Sequence, residues 1–465
     1  MARETQYRGT MVWLSALTAA AGLAMCVHAC GPTPLRSART DAIARAIQGG
    51  RAHAVILLIG DGMGDSEITL ARNYHLGAAG RLALDTLPLT GSYTTYAVQE
   101  ADPSLPEYVT DSAASATAWS TGHKTSNGRL STAAATNRAL PTLVELAHAR
   151  GLRTGNITTA ELTDATPAAL VAHISNRRCA GPADMERCRR ETTAAGGLGS
   201  IAEQTIAHDV DVLLGGGRQR FVQRIDGGPE AGQSVLQAAA ARGYTVITTA
   251  AQLAAAAPGR KLLGLFAEGD LSHEWSGAPA RAFPGSGPQR CLEGQRPAAE
   301  PSLAAMTTAA LTVLDGDGQG FFLQVEGASI DKSDHAADPC GQIGETVAFD
   351  AAVRVALDYA QRHTDTLVVV TADHAHTSQI VPPPSDTEHS PGAFSRLITA
   401  DGAQMTVSYA TNLPGHLQQH TGTQVRIAAQ GPQAADVVGI SDQTDLFFTI
   451  TDALGLQKMP AVRDR

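Results

Sequence analysis

The run Ala54-Val55-Ile56-Leu57-Leu58-Ile59, followed by Gly60-Asp61-Gly62-Met63-Gly64-Asp65, decides the fold class. Six consecutive apolar residues, half of them β-branched, predict a strand buried on both faces, as in a parallel sheet covered by helices. A glycine-rich turn then delivers an acid. Three further segments repeat the plan. Thr154-Gly155-Asn156-Ile157-Thr158-Thr159 leads towards Asp164-Ala165-Thr166-Pro167, and Phe321-Phe322-Leu323-Gln324-Val325 leads to Glu326-Gly327-Ala328-Ser329-Ile330-Asp331. Thr366-Leu367-Val368-Val369-Val370-Thr371 leads to Ala372-Asp373-His374. Helical stretches such as 140–149 and 343–362 lie between. This alternation predicts an α/β three-layer sandwich around a large, mostly parallel central sheet. Sites in such sheets gather at the carboxyl ends of the strands, where all four acids fall.

The chain has 465 residues and a formal net charge of −10, so an acidic balance without a basic patch argues against a nucleic-acid polymer as partner. No low-complexity linker divides it, and no internal repeat is visible. The segment 378–417, with Pro382-Pro383-Pro384, reads as an inserted cap over the sheet's edge. Residues 277–300, rich in Gly, Pro and Arg, read as a loop. At the start, Arg3 and Arg8 precede a small-residue apolar run that ends near Ala29. Residues 1–30 therefore read as a secretory signal, 31–53 as a short N-terminal arm and 54–465 as a single domain. Val27-His28-Ala29-Cys30 has the outline of a bacterial lipobox, which would leave Cys30 as a lipid anchor in a periplasmic, membrane-attached protein.

Beyond the leader the cysteines are Cys179, Cys188, Cys291 and Cys340, an even number in an exported chain, so two disulfides are expected. Proximity in sequence suggests Cys179–Cys188 and Cys291–Cys340. The absence of a CxxC pair argues against thiolate-held zinc.

Chemistry concentrates in a few motifs. In Asp111-Ser112-Ala113-Ala114-Ser115-Ala116-Thr117-Ala118-Trp119-Ser120-Thr121-Gly122 an acid caps an Ala-rich helix and places Ser112 at its start. Free backbone N–H groups and the positive dipole end there suit an attacking oxygen or a bound phosphate. Asp331-Lys332-Ser333-Asp334-His335 sets a carboxylate and an imidazole on one face of a helical turn. Asp373-His374 closes a buried strand, and His420-Thr421-Gly422 opens the last core segment. Imidazole with carboxylate suits zinc, whereas carboxylate with hydroxyl suits magnesium.

These motifs occur together as IGDGMGDSEIT, TDSAASATAWSTG, TTAELTDATPAALVAHI, EGASIDKSDHA and TADHAH, and from Val55 to about Ile450 the chain resembles the alkaline phosphatases. The resemblance implies hydrolysis of phosphate monoesters through a phosphoserine on Ser112, at a site of two zincs and one magnesium. One zinc would be held by Asp331, His335 and His420, and the other by Asp61, Asp373 and His374. Magnesium would be held by Asp61, Thr166 and Glu326. Arg177 matches the phosphate-clamping arginine, with Arg178 the competing choice by chemistry alone. Asp164 and Lys332 match the magnesium-using bacterial type, and a homodimer is implied.

A serine hydroxyl is a weak nucleophile until its proton affinity is lowered, and a dianionic phosphate monoester needs positive charge on several sides. The motifs supply both. A sulfatase would need a C/S-x-P-x-R sequence, which Ser112-Ala113-Ala114-Ser115-Ala116 lacks. A phosphodiesterase on the same scaffold has less use for the Arg177, Lys332 and magnesium set. A non-catalytic exported protein that binds metal or phosphate has no use for the nucleophile.

Overall fold

The computed structural model describes residues 35–316, 318–382 and 392–456; the expected leader, with Cys30, lies outside them. The chain divides into two units, Met1–Asp41 and Ala42–Arg465, and the sheet and the site belong to the second. Residues 42–53 of the expected arm are part of that second unit, where Ala52 and His53 donate backbone hydrogen bonds to Ala453 and Asp365.

Sixteen strands occur among the described residues. They are β1 (Ala54–Gly60), β2 (Leu89–Thr94), β3 (Ala97–Val98), β4 (Pro106–Glu107), β5 (Arg153–Glu161) and β6 (Val212–Gly216). Then come β7 (Thr245–Ile247), β8 (Leu262–Leu265), β9 (Ser286–Gln289), β10 (Phe321–Gly327) and β11 (Thr366–Ala372). The last are β12 (Ser378–Val381), β13 (Ala393–Ile398), β14 (Gln404–Tyr409), β15 (Val425–Gln430) and β16 (Gly439–Asp442). Ten form the central sheet in the order β16-β2-β15-β11-β1-β10-β5-β6-β8-β7. From β11 to β7 every pairing is parallel; β15 turns antiparallel to both β11 and β2. The expected α/β sandwich is present.

Every residue of β1, β10 and β11 is buried, which explains why these strands read as unbroken apolar runs. Helices Leu303–Leu314 and Pro339–Arg362 pack on each other and on these strands. Helix Asp445–Leu454 packs on β1 and on the helix Ser112–Thr121. Register then does the functional work. Gly60 pairs with Gly327 and with Ala372, so Asp61, Glu326 and Asp373 emerge together at the carboxyl ends of three adjacent central strands.

The segment read as a cap contributes β12, β13 and β14 to a second, four-stranded sheet in the order β12-β14-β13-β9. Its fourth strand comes from the stretch read as a loop: β9 pairs in parallel with β13. Two disulfides close, Cys179–Cys188 and Cys291–Cys340, the second joining the region after β9 to the start of helix Pro339–Arg362. Among the described residues no helix is long and apolar enough to cross a membrane.

Candidate active site and metal centre

Ser112 is the first residue of the helix Ser112–Thr121, all of it buried. Asp111 caps that helix by accepting from the Ala114 amide at 3.0 Å. Its other oxygen accepts from Gly128 N at 3.0 Å and from Arg177 Nη1 at 3.2 Å. The cap that starts the helix of Ser112 therefore also fixes Arg177. Ser112 Oγ lies 3.4 Å from His374 Nε2.

His374 Nε2 stands 3.1 Å from Asp373 Oδ2 and 3.5 Å from Asp61 Oδ1. The second oxygen of Asp373 accepts from Gly62 N at 2.9 Å and from His374 N at 2.8 Å, which aims Oδ2 inward. Gly62 makes this possible: its φ is +69°, and a Cβ there would come within 3.1 Å of Asp331 Cα. Asp331, His335 and His420 form a neighbouring group, with Nε2–carboxylate distances of 3.4 Å for His335 and 3.3 Å for His420. The two groups adjoin, since the rings of His374 and His420 stack with centroids 3.6 Å apart.

The chemistry of these donors calls for cations. His335 Nδ1 approaches the Gln418 carbonyl at 2.5 Å and His420 Nδ1 the Thr110 carbonyl at 3.0 Å. A carbonyl only accepts, so both Nδ1 atoms carry the proton, and the two Nε2 lone pairs face each other at 3.1 Å. Asp61 Oδ1, Asp331 Oδ1, Asp373 Oδ2 and Thr166 Oγ1 are buried and make no hydrogen bond within the protein. Unpaired buried carboxylates are costly. Burial, with Asp373, Asp331 and Glu326 nearby, pushes Asp61 well above the usual range. Burial likewise lifts Glu326 to about 8 and Asp373 to about 6. Divalent ions remove this strain, and the donors suit them.

Glu326 Oε2 accepts from Thr158 Oγ1 at 2.5 Å, and Thr166 adjoins the same carboxylate. Asp164 caps the short helix that carries Thr166. One of its oxygens takes Arg177 Nη2 at 2.8 Å, and the other takes Lys332 Nζ at 2.9 Å. Lys332 also lies 3.1 Å from Asp270. Burial opposes the charge on Arg177 and on Lys332, but Asp164 beside them keeps both cationic. These groups line an open cavity of about 490 Å³. Arg178 is exposed and lines the same cavity beside Arg177, but it is the Arg177 guanidinium that Asp111 and Asp164 hold.

His376 belongs to the centre as well, and the sequence reading passed over it. It is buried, with Nε2 3.2 Å from Asp331 Oδ1 and its ring 4.6 Å from that of His335. The signal lay inside TADHAH: alternation after a strand sends residues 374 and 376 to the same side. Asp270, the second partner of Lys332, left no trace in any motif.

The alkaline phosphatase family model matches residues 52–416 and 398–456. The chain is similar to the streptomycin-6-phosphate phosphatase of Streptomyces griseus, 56% identical over 87% of this chain and 91% of the relative. It is also similar to the alkaline phosphatase of Escherichia coli K12, 50% identical over 92% and 91% of the two chains. Among solved structures, the alkaline phosphatase of the Antarctic bacterium TAB5 aligns with a TM-score of 0.67 at 26% identity, covering 88% of this chain and all of that one. With two adjoining groups of metal-ligating side chains beside Ser112, the chain belongs to the alkaline phosphatase family and is a metal-binding hydrolase of phosphate monoesters.

Proposed function

We propose that Ser112 is the nucleophile and that the centre takes two zincs and one magnesium. Asp331, His335 and His420 would hold one zinc, and Asp61, Asp373 and His374 the other. Asp61, Thr166 and Glu326 would hold magnesium, so Asp61 would serve both this ion and a zinc. When bound, the ions lower the proton affinity of the attacking hydroxyl and neutralise the phosphate and the leaving alcohol. The observation that carries the assignment is the 3.4 Å approach of Ser112 Oγ to His374, beside carboxylate oxygens that make no hydrogen bond.

The chain's own groups do the rest. Arg177, braced by Asp111 and Asp164, presents a fixed guanidinium to two phosphate oxygens, the fork geometry that arginine supplies and lysine does not. Lys332 and Asp164 act through water beside the phosphate and the magnesium ligands. Ser112 gives its hydroxyl proton to solvent as its oxygen bonds to phosphorus, the bond from phosphorus to the alcohol oxygen breaks, and the departing alkoxide takes a proton from water. Water then attacks the phosphoserine and returns Ser112. Each step is an in-line displacement, so two of them give net retention at phosphorus. Hydrolysis, in isotopically labelled water, of a phosphorothioate monoester made chiral with oxygen isotopes tests this, because sulfur and three oxygen isotopes leave four different groups on phosphorus; inversion would replace the phosphoserine route with direct attack by water.

We also place the mature protein outside the cytoplasm, in the periplasm, as a homodimer that is either free or anchored through Cys30. The basic and apolar composition of residues 1–30 and the two disulfides support export. Residues 54–465 act as one catalytic domain, with 378–417 as its cap.

A further inference from the structure

A third group of ligand-type side chains lies apart from the catalytic centre: Glu145, His173 and His208. They come from three elements. Glu145 is in the first turn of the helix Leu143–Ala149, His173 follows the short helix after β5, and His208 ends the helix Ile201–Ala207. His173 Nε2 lies 3.2 Å from Glu145 Oε1, and His208 Nε2 lies 3.4 Å from the same oxygen.

The other ends of both rings are committed. His173 Nδ1 is 2.9 Å from the Ser131 carbonyl, and His208 Nδ1 is 2.9 Å from the Gln204 carbonyl. Because carbonyls only accept, each Nδ1 carries a proton, and each Nε2 is turned towards the same Glu145 oxygen. A cation has to sit between a carboxylate and two imidazoles so placed: either a proton on an imidazole, which Glu145 favours at His173, or one metal ion that engages all three atoms. A backbone carbonyl behind each imidazole is also the support that metal-bound histidines ordinarily have.

The spacing fits one ion. Zinc bonds of about 2.0–2.2 Å to nitrogen and oxygen put neighbouring tetrahedral ligands roughly 3.3–3.5 Å apart. The two edges to Glu145, 3.2 and 3.4 Å, agree with that, and all three ligand atoms lie within 4.8 Å of one another. Glu145 keeps its second oxygen on the Thr142 amide at 2.8 Å, so the carboxylate is aimed and not swinging. His173 is nearly buried, while about a third of the Glu145 side chain faces solvent, which leaves an entry path and room for a water as fourth ligand.

We propose that Glu145, His173 and His208 bind a divalent ion of the zinc class, separate from the catalytic ions. The ion ties helix Leu143–Ala149 and the end of helix Ile201–Ala207 to the segment that runs from His173 to Arg177. Its role is to hold that segment, so it is a structural site and takes no part in phosphate chemistry.

The test is metal content of the purified full-length protein, loaded with zinc and magnesium at pH 8 and then freed of loose metal by gel filtration. Wild type should hold one zinc per chain more than His208→Ala or Glu145→Gln. Its melting temperature should also rise further on zinc addition than that of either variant. His208→Lys restores a positive charge beside Glu145 without supplying a ligand, and it too should lack the extra zinc. A wild type with the same zinc content as all three folded variants would overturn the site. Retention of the extra zinc by His208→Lys would do so as well, by showing that the group is a charge cluster and the ion sits elsewhere.

Discussion

Asp164 and Arg177 are joined at 2.8 Å by the one Asp164 oxygen that Lys332 does not take. A single carboxylate thus positions both of the cations nearest the expected phosphate. Arg177→Ala removes a charged, doubly braced donor. It should cost roughly 2–3 kcal/mol of transition-state stabilisation, a 30- to 150-fold loss in kcat/KM, with the larger electrostatic share left to the metals. Inhibition by inorganic phosphate should weaken in parallel. Arg178→Ala, at an exposed position, should change neither.

Ser112→Ala should abolish the phosphoenzyme and lower kcat by about three orders of magnitude or more. Rapid acid quench with labelled phosphate reads the intermediate directly. Label retained by the variant chain would move the nucleophile elsewhere.

Replacing Asp164 by His should change which metal the third site accepts. Carboxylate, hydroxyl and water favour a hard octahedral ion, and an added imidazole favours zinc or cobalt. Activation by magnesium should therefore be strong in the native enzyme and weak in the variant, which zinc or cobalt should activate instead. Three zincs per chain in the His208→Ala background, together with indifference to magnesium, would contradict the assignment of Asp61, Thr166 and Glu326. The zinc count is made in His208→Ala, so that an ion at Glu145 does not confuse it.

The two disulfides should differ in what their loss costs. Their loops span 9 and 49 residues. Loop-closure entropy then gives about 2–3 kcal/mol for Cys179–Cys188 and about 4 kcal/mol for Cys291–Cys340. Urea titration of the two Cys→Ala pairs measures both. Removing the first should also loosen Arg177, two residues before Cys179, and raise KM.

Glu67 gives the pH dependence a definite sign. It is fully buried, with Ser378 and Ser66 as its partners, and burial raises it from 4.5 to about 7. Between those values the folded chain holds a proton that the unfolded chain has released. Stability attributable to this group therefore falls as pH rises across that window, by about 3 kcal/mol in all. Glu67→Gln should remove that slope and be relatively more stable at pH 8 than at pH 4.5. Denaturant midpoints at the two pH values test it, and an unchanged slope would show that Glu67 stays ionised.

What could be read from the sequence was what is local. Ala54–Gly60 and Thr366–Ala372 declare themselves because burial on both faces demands apolar residues at every position. Asp111 declares itself as a cap because its side chain bonds an amide three residues on. The strand Ser286–Gln289 could not be read: it contains Gly287 and Pro288, and its partner lies more than a hundred residues away. The strand Leu89–Thr94, which lies between β16 and β15, is short and half polar. His376 was hidden for another reason, since its partner Asp331 arrives from a different strand–helix turn. Glu145, His173 and His208 share no motif at all. Only the packing of three elements makes them neighbours.

The position of β1 has a consequence for how the chain is made. Among the described residues it is the first strand to leave the ribosome, yet its two neighbours begin only at Phe321 and Thr366. For most of synthesis, and for all of any passage through a membrane in unfolded form, the seven residues of this apolar strand have no partner. Such a segment is the kind that seeds intermolecular β-pairing. A chain cut short before Phe321 should therefore accumulate as aggregate or on a holding chaperone, and not as a smaller folded half. The enzyme's productive fold is thus gated by its C-terminal third, which must be delivered before its oldest strand is safe.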